Sequence, residues 1–277
     1  MSSIEDHRVF YANFVVRSAG SSNEKLIAAF AATQREQYVG AGPWSIFVYP
    51  EYISTVSDDP RLLYQDIVVG IAPDRNINNG QPSLHARCLA ACVPVAGESV
   101  IHIGAGTGYY TAILAALVGS SGQVSAYEID SDLATRARDN LRHVLNVTVV
   151  AASASEGTLP DADLIYVNAG ATHPLRLWLD ALTIGGRLIF PMTTNSLFGV
   201  MLLVTRRTAD CYAASIVSAA AFIPCVGARD DAASQALNNA LESRALFAVK
   251  SLRRNAVADA TACCVGKDWW LSSAEPG

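Results

Sequence analysis

The chain has 277 residues, 51% of them hydrophobic and 16% charged, with a net charge of −5. So apolar a chain can bury the core of one large domain, or a core with an appended piece, and does not read as disordered. Its acidic balance offers no basic field for nucleic acid, and no apolar run reaches the roughly 20 residues of a membrane span. The opening "MSSIEDHRVFYANF" carries acids early and lacks the apolar run of a secretory signal, so a cytoplasmic protein is expected.

Residues 1–45 read as mostly helical, with Leu26, Ile27, Phe30 and Ala31 forming one apolar face before "GAGPW" breaks the pattern. Residues 46–80 are rich in Pro, Asp, Asn and Gly, with short β-like pieces at "IFVYP" and "QDIVVGI". From Pro82 to Val93 the pattern is helical again, with Pro suited to the first turn. His85, Cys88 and Cys92 share a face of that helix, but no fourth ligand with sensible spacing accompanies them, so no metal is expected. The six cysteines lack a paired CxxC framework and read as reduced, small hydrophobes.

From Glu98 the chain alternates. "SVIHI" reads as a strand, "TGYYTAILAALVG" as a helix, "QVSAYE" as a strand and "SDLATRARDNLRHVL" as a helix capped by Ser131. Then come "NVTVV" and "ADLIYVN" as strands, a helix around "HPLRLWLDAL" and the strand "GGRLIFP". Apolar strands alternating with helices imply a parallel sheet covered on both faces, with ligands beyond the carboxyl ends of the strands. After Pro191, "FGVMLLVTRR" and "AASIVSAAAFIP" predict antiparallel strands, residues 230–250 a helix and "ACCVGKDWWLSS" a last strand. The expected class is α/β, a Rossmann-like, doubly wound and mostly parallel sheet with antiparallel final strands. Three regions are expected: an acceptor side over 1–95, a core over 96–225 and a C-terminal extension over 226–277.

The stretch "VIHIGAGTGYYTAIL" carries the most chemistry. Gly104, Gly106 and Gly108 stand where a strand hands over to a helix, which allows close backbone approach by a ligand. Glu128, 24 positions after Gly104, ends the next strand, where an acid can accept both ribose hydroxyls. A dinucleotide fingerprint needs glycine at 109, and Tyr109 stands there. G-x-G-x-G followed by the acid suits S-adenosylmethionine, and a nicotinamide oxidoreductase is disfavoured.

These motifs resemble those of the protein-L-isoaspartate O-methyltransferases among class I, S-adenosylmethionine-dependent methyltransferases. "LIAAFAATQREQYVG" is similar to a segment running into an Arg-Glu-x-Phe-Val motif, and "LLYQDIVVGI" to a Tyr-x-Asp segment that gives Tyr64 and Asp66. "GQPSLHA" resembles the Ser-x-Pro-x-x-x-Ala active-site loop. "ADLIYVNAGATHPLRLWLDALTIGGRLIFP" resembles the fourth strand, its loop and the Gly-Gly-Arg-Leu strand beyond. The resemblance covers about Leu26 to Pro224. It implies cofactor contacts at Ile103, Gly104, Ala105, Gly106, Gly108, Tyr109, Thr111, Glu128, Ile129, Ser153 and Asn168, with S-adenosylhomocysteine as product. It implies a methyl-transfer site at Gly80, His85 and Asn168, and an acceptor side of Trp44, Tyr64, Asp66, Asn78, Asn79, Gln81 and His173.

Two departures bear on function. Gly80 stands where the family carries a serine beside the transferring methyl, and "VVAASASEG" replaces the Gly-Asp-Gly whose Asp binds the adenine amino group. Ala152 or Ser153 takes that acid's place. Methyl transfer needs collinear positioning of nucleophile, methyl and sulfur. An ionised carboxylate acceptor needs no base, whereas a hydroxyl or amine would need one, with His85, Asp66 and His173 as candidates. Each has a structural alternative: a satisfied helix histidine, a turn cap and a helix-cap region. Trp44 and Tyr64 are either a lid over the acceptor or core contacts, and one of Tyr109 and Tyr110 is expected beside the cofactor. The expected enzyme methylates a carboxylate or other group of a peptide or small molecule. A true isoaspartyl repair enzyme and a non-catalytic cofactor-binding module are the alternatives.

Overall fold

A computed structural model describes residues 2–254 and 257–276. In chain order the helices and strands are α1 (Ile4–Ser18), α2 (Glu24–Ala32), β1 (Ser45–Val48), β2 (Glu51–Ser54), β3 (Gly70–Ala72), β4 (Ile77–Asn78) and α3 (Pro82–Cys92). The alternating stretch comes next as β5 (Ser99–Ile103), α4 (Tyr109–Val118), β6 (Gln123–Glu128), α5 (Ser131–Leu141), β7 (Val147–Ala151), β8 (Ala162–Val167), α6 (Arg176–Ala181) and β9 (Leu182–Thr193). The chain ends with β10 (Phe198–Arg206), β11 (Cys211–Ala221), α7 (Asp231–Glu242), β12 (Ser251–Arg254), β13 (Ala262–Val265) and β14 (Trp269–Ser272). No helix among the described residues is long and apolar enough to cross a membrane.

The chain forms two compact units, one from residues 1–97 and 105–152, the other from 98–104 and 153–277.

In the first unit α4 is buried on nearly every side, as its almost continuous apolar sequence requires. Strands β6 and β7 pair in parallel from Val124↔Val147 to Glu128↔Ala151. Helix α5 begins one residue after its cap: Asp130, and not Ser131, accepts the N–H groups of Asp132 and Leu133 at 3.0 Å each. The carboxylate also suits the positive end of the helix dipole. A separate apolar cluster joins Val39, Trp44, Ile46, Leu63, Val69, Ile71 and Leu133, so the polar stretch 46–80 is pinned by scattered hydrophobic anchors.

In the second unit β5, β8 and β9 are parallel neighbours, with Ile103 opposite Val167 and Tyr166 opposite Ile189. β8 is buried along almost its whole length, as a strand covered on both faces must be. β9 is twice a typical strand and serves two partners, β8 in parallel and β10 antiparallel. The antiparallel end then runs β10-β11-β12-β14-β13. The expected last strand is two: β13 and β14 form a hairpin, and β14 also pairs with β12. The helix expected over 230–250 stops at Glu242, capped at its start by Asp230.

Candidate active site

The glycine loop turns on left-handed backbone: Gly104, Gly106 and Gly108 have φ of +73°, +57° and +95°. The turn into α4 is closed by Gly108 N–H, which donates to Ala105 O at 3.0 Å. Gly106 N–H donates to Glu128 Oε2 at 2.7 Å, and Asp130 N–H donates to Oε1 at 2.9 Å. Burial pushes the Glu128 carboxyl above its ordinary value, and the two N–H donors oppose that push. The carboxylate is thus fixed at the carboxyl end of β6, with lone pairs remaining for a vicinal diol. Ile129, next along, is 53% exposed and offers an apolar surface beside it. This donor and acceptor set fits the ribose and base of an adenosyl group.

Helix α3 and the loop before it form the second feature. Gly80 has φ +72°, and a Cβ built there would overlap His85 Nε2. The His85 ring is buried and stacks on Tyr110, with centroids 3.7 Å apart and an 18° tilt. Asp66 accepts from Ser83 N–H at 2.8 Å, Ser83 Oγ at 2.6 Å and Gln81 Nε2 at 2.9 Å, so its carboxylate holds the start of α3. Asn78 closes the turn by accepting Gly80 N–H at 3.0 Å.

Asn79 is oriented by its neighbours. Its Oδ1 accepts from Val69 N–H at 3.1 Å and from Arg35 at 3.3 Å. Both partners are donors, which fixes the amide's direction and leaves Nδ2 buried without a partner among the described residues. Arg35, fully buried, also donates to the carbonyls of Leu63, Gln65 and Ile67. One arginine thereby ties the 63–67 segment to the residue before Gly80.

In the second unit Asn168 ends β8 and donates its N–H to Ile103 O at 2.8 Å. Its Nδ2 is 2.8 Å from His102 Nε2 on β5. Ser153 lies in a small turn: its Oγ is 2.7 Å from Ser155 Oγ, which donates to Val226 O. His173 Nδ1 meets Thr172 Oγ1 at 2.9 Å, and its ring lies parallel to Trp269 with centroids 6.5 Å apart. Burial lowers the His173 imidazole, partly offset by Asp230 and Asp268.

Other expected residues take different places. Trp44 is 5% exposed in the apolar cluster, its Nε1 donating to Gly40 O, and Tyr64 is 4% exposed with its hydroxyl bonded to Arg8, Glu36 and Arg35 N–H. Burial and hydrogen bonding hold both in place. Tyr109 is also interior, its hydroxyl 3.1 Å from Tyr11, and its ring packs edge-on against Tyr38 and Tyr110. Ala105 is held by Tyr127 O, and Thr111 is fully buried in α4. The sequence reading missed Arg35 and His102 as organisers. "REQ" shows a charged turn and "SVIHI" an ordinary strand; only distant partners reveal what either side chain does.

The profile of the family described as "Protein-L-isoaspartate(D-aspartate) O-methyltransferase (PCMT)" matches residues 15–230. A protein-L-isoaspartate O-methyltransferase of Ignicoccus hospitalis is 30% identical over 60% of this chain and 79% of that protein. One of Koribacter versatilis is 29% identical over 76% of this chain and 87% of its own. Among solved structures, a protein-L-isoaspartate O-methyltransferase superposes with TM-score 0.66 at 24% identity, covering 85% of this chain and 68% of that one. A Plasmodium falciparum chain described as such a methyltransferase, in complex with S-adenosylhomocysteine, gives 0.64 at 18%, covering 79% and 98%. These likenesses show the α/β, Rossmann-like fold with antiparallel final strands. The chain belongs to the protein-L-isoaspartate (D-aspartate) O-methyltransferase family and is an S-adenosylmethionine-dependent methyltransferase.

Proposed function

We propose that this methyltransferase acts on a carboxylate of a peptide or small molecule, with little activity toward isoaspartyl residues. The observation that carries the reading is the Gly80–His85 contact: the family's serine is absent, and a neighbouring imidazole fills the space where a side chain would stand. S-adenosylmethionine supplies a methyl group on a positively charged sulfur. The chain's part is placement. Glu128 holds the ribose, Ile129 offers an apolar surface to the base and the backbone of 105–108 borders the rest. Asp66, Asn78 and Gln81 fix the acceptor loop. A carboxylate is ionised at neutral pH, so no group here has to remove a proton, and positioning supplies the rate.

The test is methylation by purified protein of a peptide with one β-linked aspartate, beside a panel of other peptide and small-molecule carboxylates. Weak transfer to the first and robust transfer within the panel is expected. Robust turnover of the β-linked peptide favours the second reading, isoaspartyl repair with Asn79 donating in place of the serine. The buried, unpartnered Asn79 Nδ2 supports that reading.

A further inference from the structure

The hairpin of β3 and β4 lies beside the acid that ends β6, and three contacts fasten it there. Arg136 Nη1 on α5 donates to Ile71 O at 2.8 Å. The Ile71 side chain packs on the glycine loop, where a Cβ built on Gly106 would lie 3.1 Å from Ile71 Cδ1. At the hairpin's tip, Arg75 forms an ion pair with Asp130. That tip is a short 3-10 turn over Pro73–Arg75, closed by Asn76 in left-handed backbone at φ +57°. All of these residues belong to the first unit.

Asp130 is the hub. Its carboxylate caps α5 by accepting from Asp132 and Leu133 N–H, and its own N–H donates to Glu128 Oε1 at 2.9 Å. A displacement of Asp130 therefore moves the donor that sets one oxygen of Glu128. Its charge matters as well. Burial already raises the Glu128 carboxyl, and the neighbouring Asp130 charge adds to that. Arg75 opposes both disturbances, holding the Asp130 side chain in place and setting a cation against its charge. The pair is partly exposed, with side chains 44% and 19% accessible, so its effect is modest and weakened by salt.

We propose that Arg75 is a positioning residue for the methyl donor, steadying Asp130 so that Glu128 meets the ribose hydroxyls in the right orientation. It acts through Asp130 and Glu128 and not by touching the ligand. The assignment rests on Glu128 as the ribose acid and is independent of which acceptor is methylated.

The experiment is calorimetric titration of wild type, Arg75→Ala, Arg75→Lys, Asp130→Asn and the double variant Arg75→Ala/Asp130→Asn with two ligands. S-adenosylhomocysteine carries both ribose hydroxyls; its 2′,3′-dideoxy analogue lacks them. Arg75→Ala should weaken S-adenosylhomocysteine about three- to fivefold, the reach of one partly exposed ion pair, and change the dideoxy analogue by less than about 1.5-fold. Arg75→Lys, which keeps the cation, should retain most of the affinity. Asp130→Asn still caps α5. In that background, removing Arg75 should change S-adenosylhomocysteine affinity by less than about 1.5-fold. Equal losses for both ligands would mean a merely structural role and overturn the proposal. Unchanged S-adenosylhomocysteine affinity in Arg75→Ala would do the same, as would an undiminished loss in the Asp130→Asn background. If the dideoxy analogue binds too weakly to measure, the Asp130→Asn background decides alone. Wild type binding the two ligands equally well would instead bring down Glu128 as the ribose acid.

Discussion

Gly80 and Gly106 share a left-handed backbone and differ in what the missing side chain is for. At Gly106 the backbone is the anchoring element: its N–H holds Glu128, and a Cβ built there would press on Ile71 Cδ1 at 3.1 Å. At Gly80 the vacated volume is taken by the His85 ring, itself held on Tyr110. One glycine lends its N–H to a carboxylate; the other makes room for a ring. The chain keeps the S-adenosylmethionine dependence of its family, while Gly80 departs from the family's serine.

The largest expected effect attacks the retained side. Glu128→Ala removes the acceptor for two ribose hydroxyls and strands the N–H groups of Gly106 and Asp130. S-adenosylhomocysteine affinity should fall about 100-fold or more, since each charged hydrogen bond contributes roughly 1.5–3 kcal/mol. Calorimetry reads this directly. A loss under about tenfold would show that the acid is not the ribose anchor.

Gly80→Ser attacks the rebuilt side. The substitution forces a side chain into left-handed backbone and into His85, and should cost about 2–3 kcal/mol. A chain of this size should then melt about 5–10 °C lower, without gaining turnover of a β-linked aspartyl peptide. Pairing it with His85→Ala should recover part of the loss. A stable Gly80→Ser protein with efficient isoaspartyl transfer would erase the distinction between the two glycines.

Asp66→Ala takes away the acceptor for Ser83 N–H, Ser83 Oγ and Gln81 and removes a negative charge from the start of α3. About 1–2 kcal/mol of stability should go with it, visible in denaturant unfolding, while S-adenosylhomocysteine affinity stays near wild type. If cofactor affinity collapses as well, the two loops are not separable in this way.

How much of this contrast could be read from sequence depends on the range of the interactions. The alternation from Ser99 to Thr193 was legible because strand and helix periods are local, and the glycine loop because a turn chooses its residues locally. The cap of α5 was misplaced by one residue: Asp130 and Ser131 are both good caps, and only the direction of the side chain separates them. Trp44 and Tyr64 read from sequence as either a lid over the acceptor or core contacts. Their burial depends on Leu133 and on Arg8, Arg35 and Glu36, far away in sequence. Gly80 was visible as a departure, but what replaced the serine was not, because the overlap with His85 arises only when the loop folds onto α3. His102 was hidden for the same reason, its partner lying 66 positions further on.

Acid should separate the two sides by a smaller margin. Burial raises the Glu128 carboxyl above its ordinary value of about 4.3. It therefore takes up a proton at higher pH than an exposed glutamate. The ionised form is the disfavoured one in the fold, so this group's own contribution to stability improves on acidification while its capacity to accept four hydrogen bonds declines. S-adenosylhomocysteine affinity should be flat from neutral pH upward and fall on the acid side, and the acid limb should vanish from the residual binding of Glu128→Gln. A limb that persists in that variant would place the titrating group elsewhere.

Ser153→Ala should have the smallest effect, and the reason is geometric. The residue stands beside the position where the family's adenine-binding acid is missing, yet its hydroxyl is already shared with Ser155 Oγ at 2.7 Å and accepts Ser155 N–H at 3.2 Å. A hydroxyl so committed has little left to give a ligand, and Ser155 keeps its own bond to Val226 O when the partner is removed. S-adenosylhomocysteine affinity should change by less than about threefold, within the roughly 0.5–1.5 kcal/mol of one neutral hydrogen bond. A tenfold loss would show that Ser153 has taken over the adenine contact. The cofactor side would then have been rebuilt too, and Gly80 would no longer mark the one altered wall.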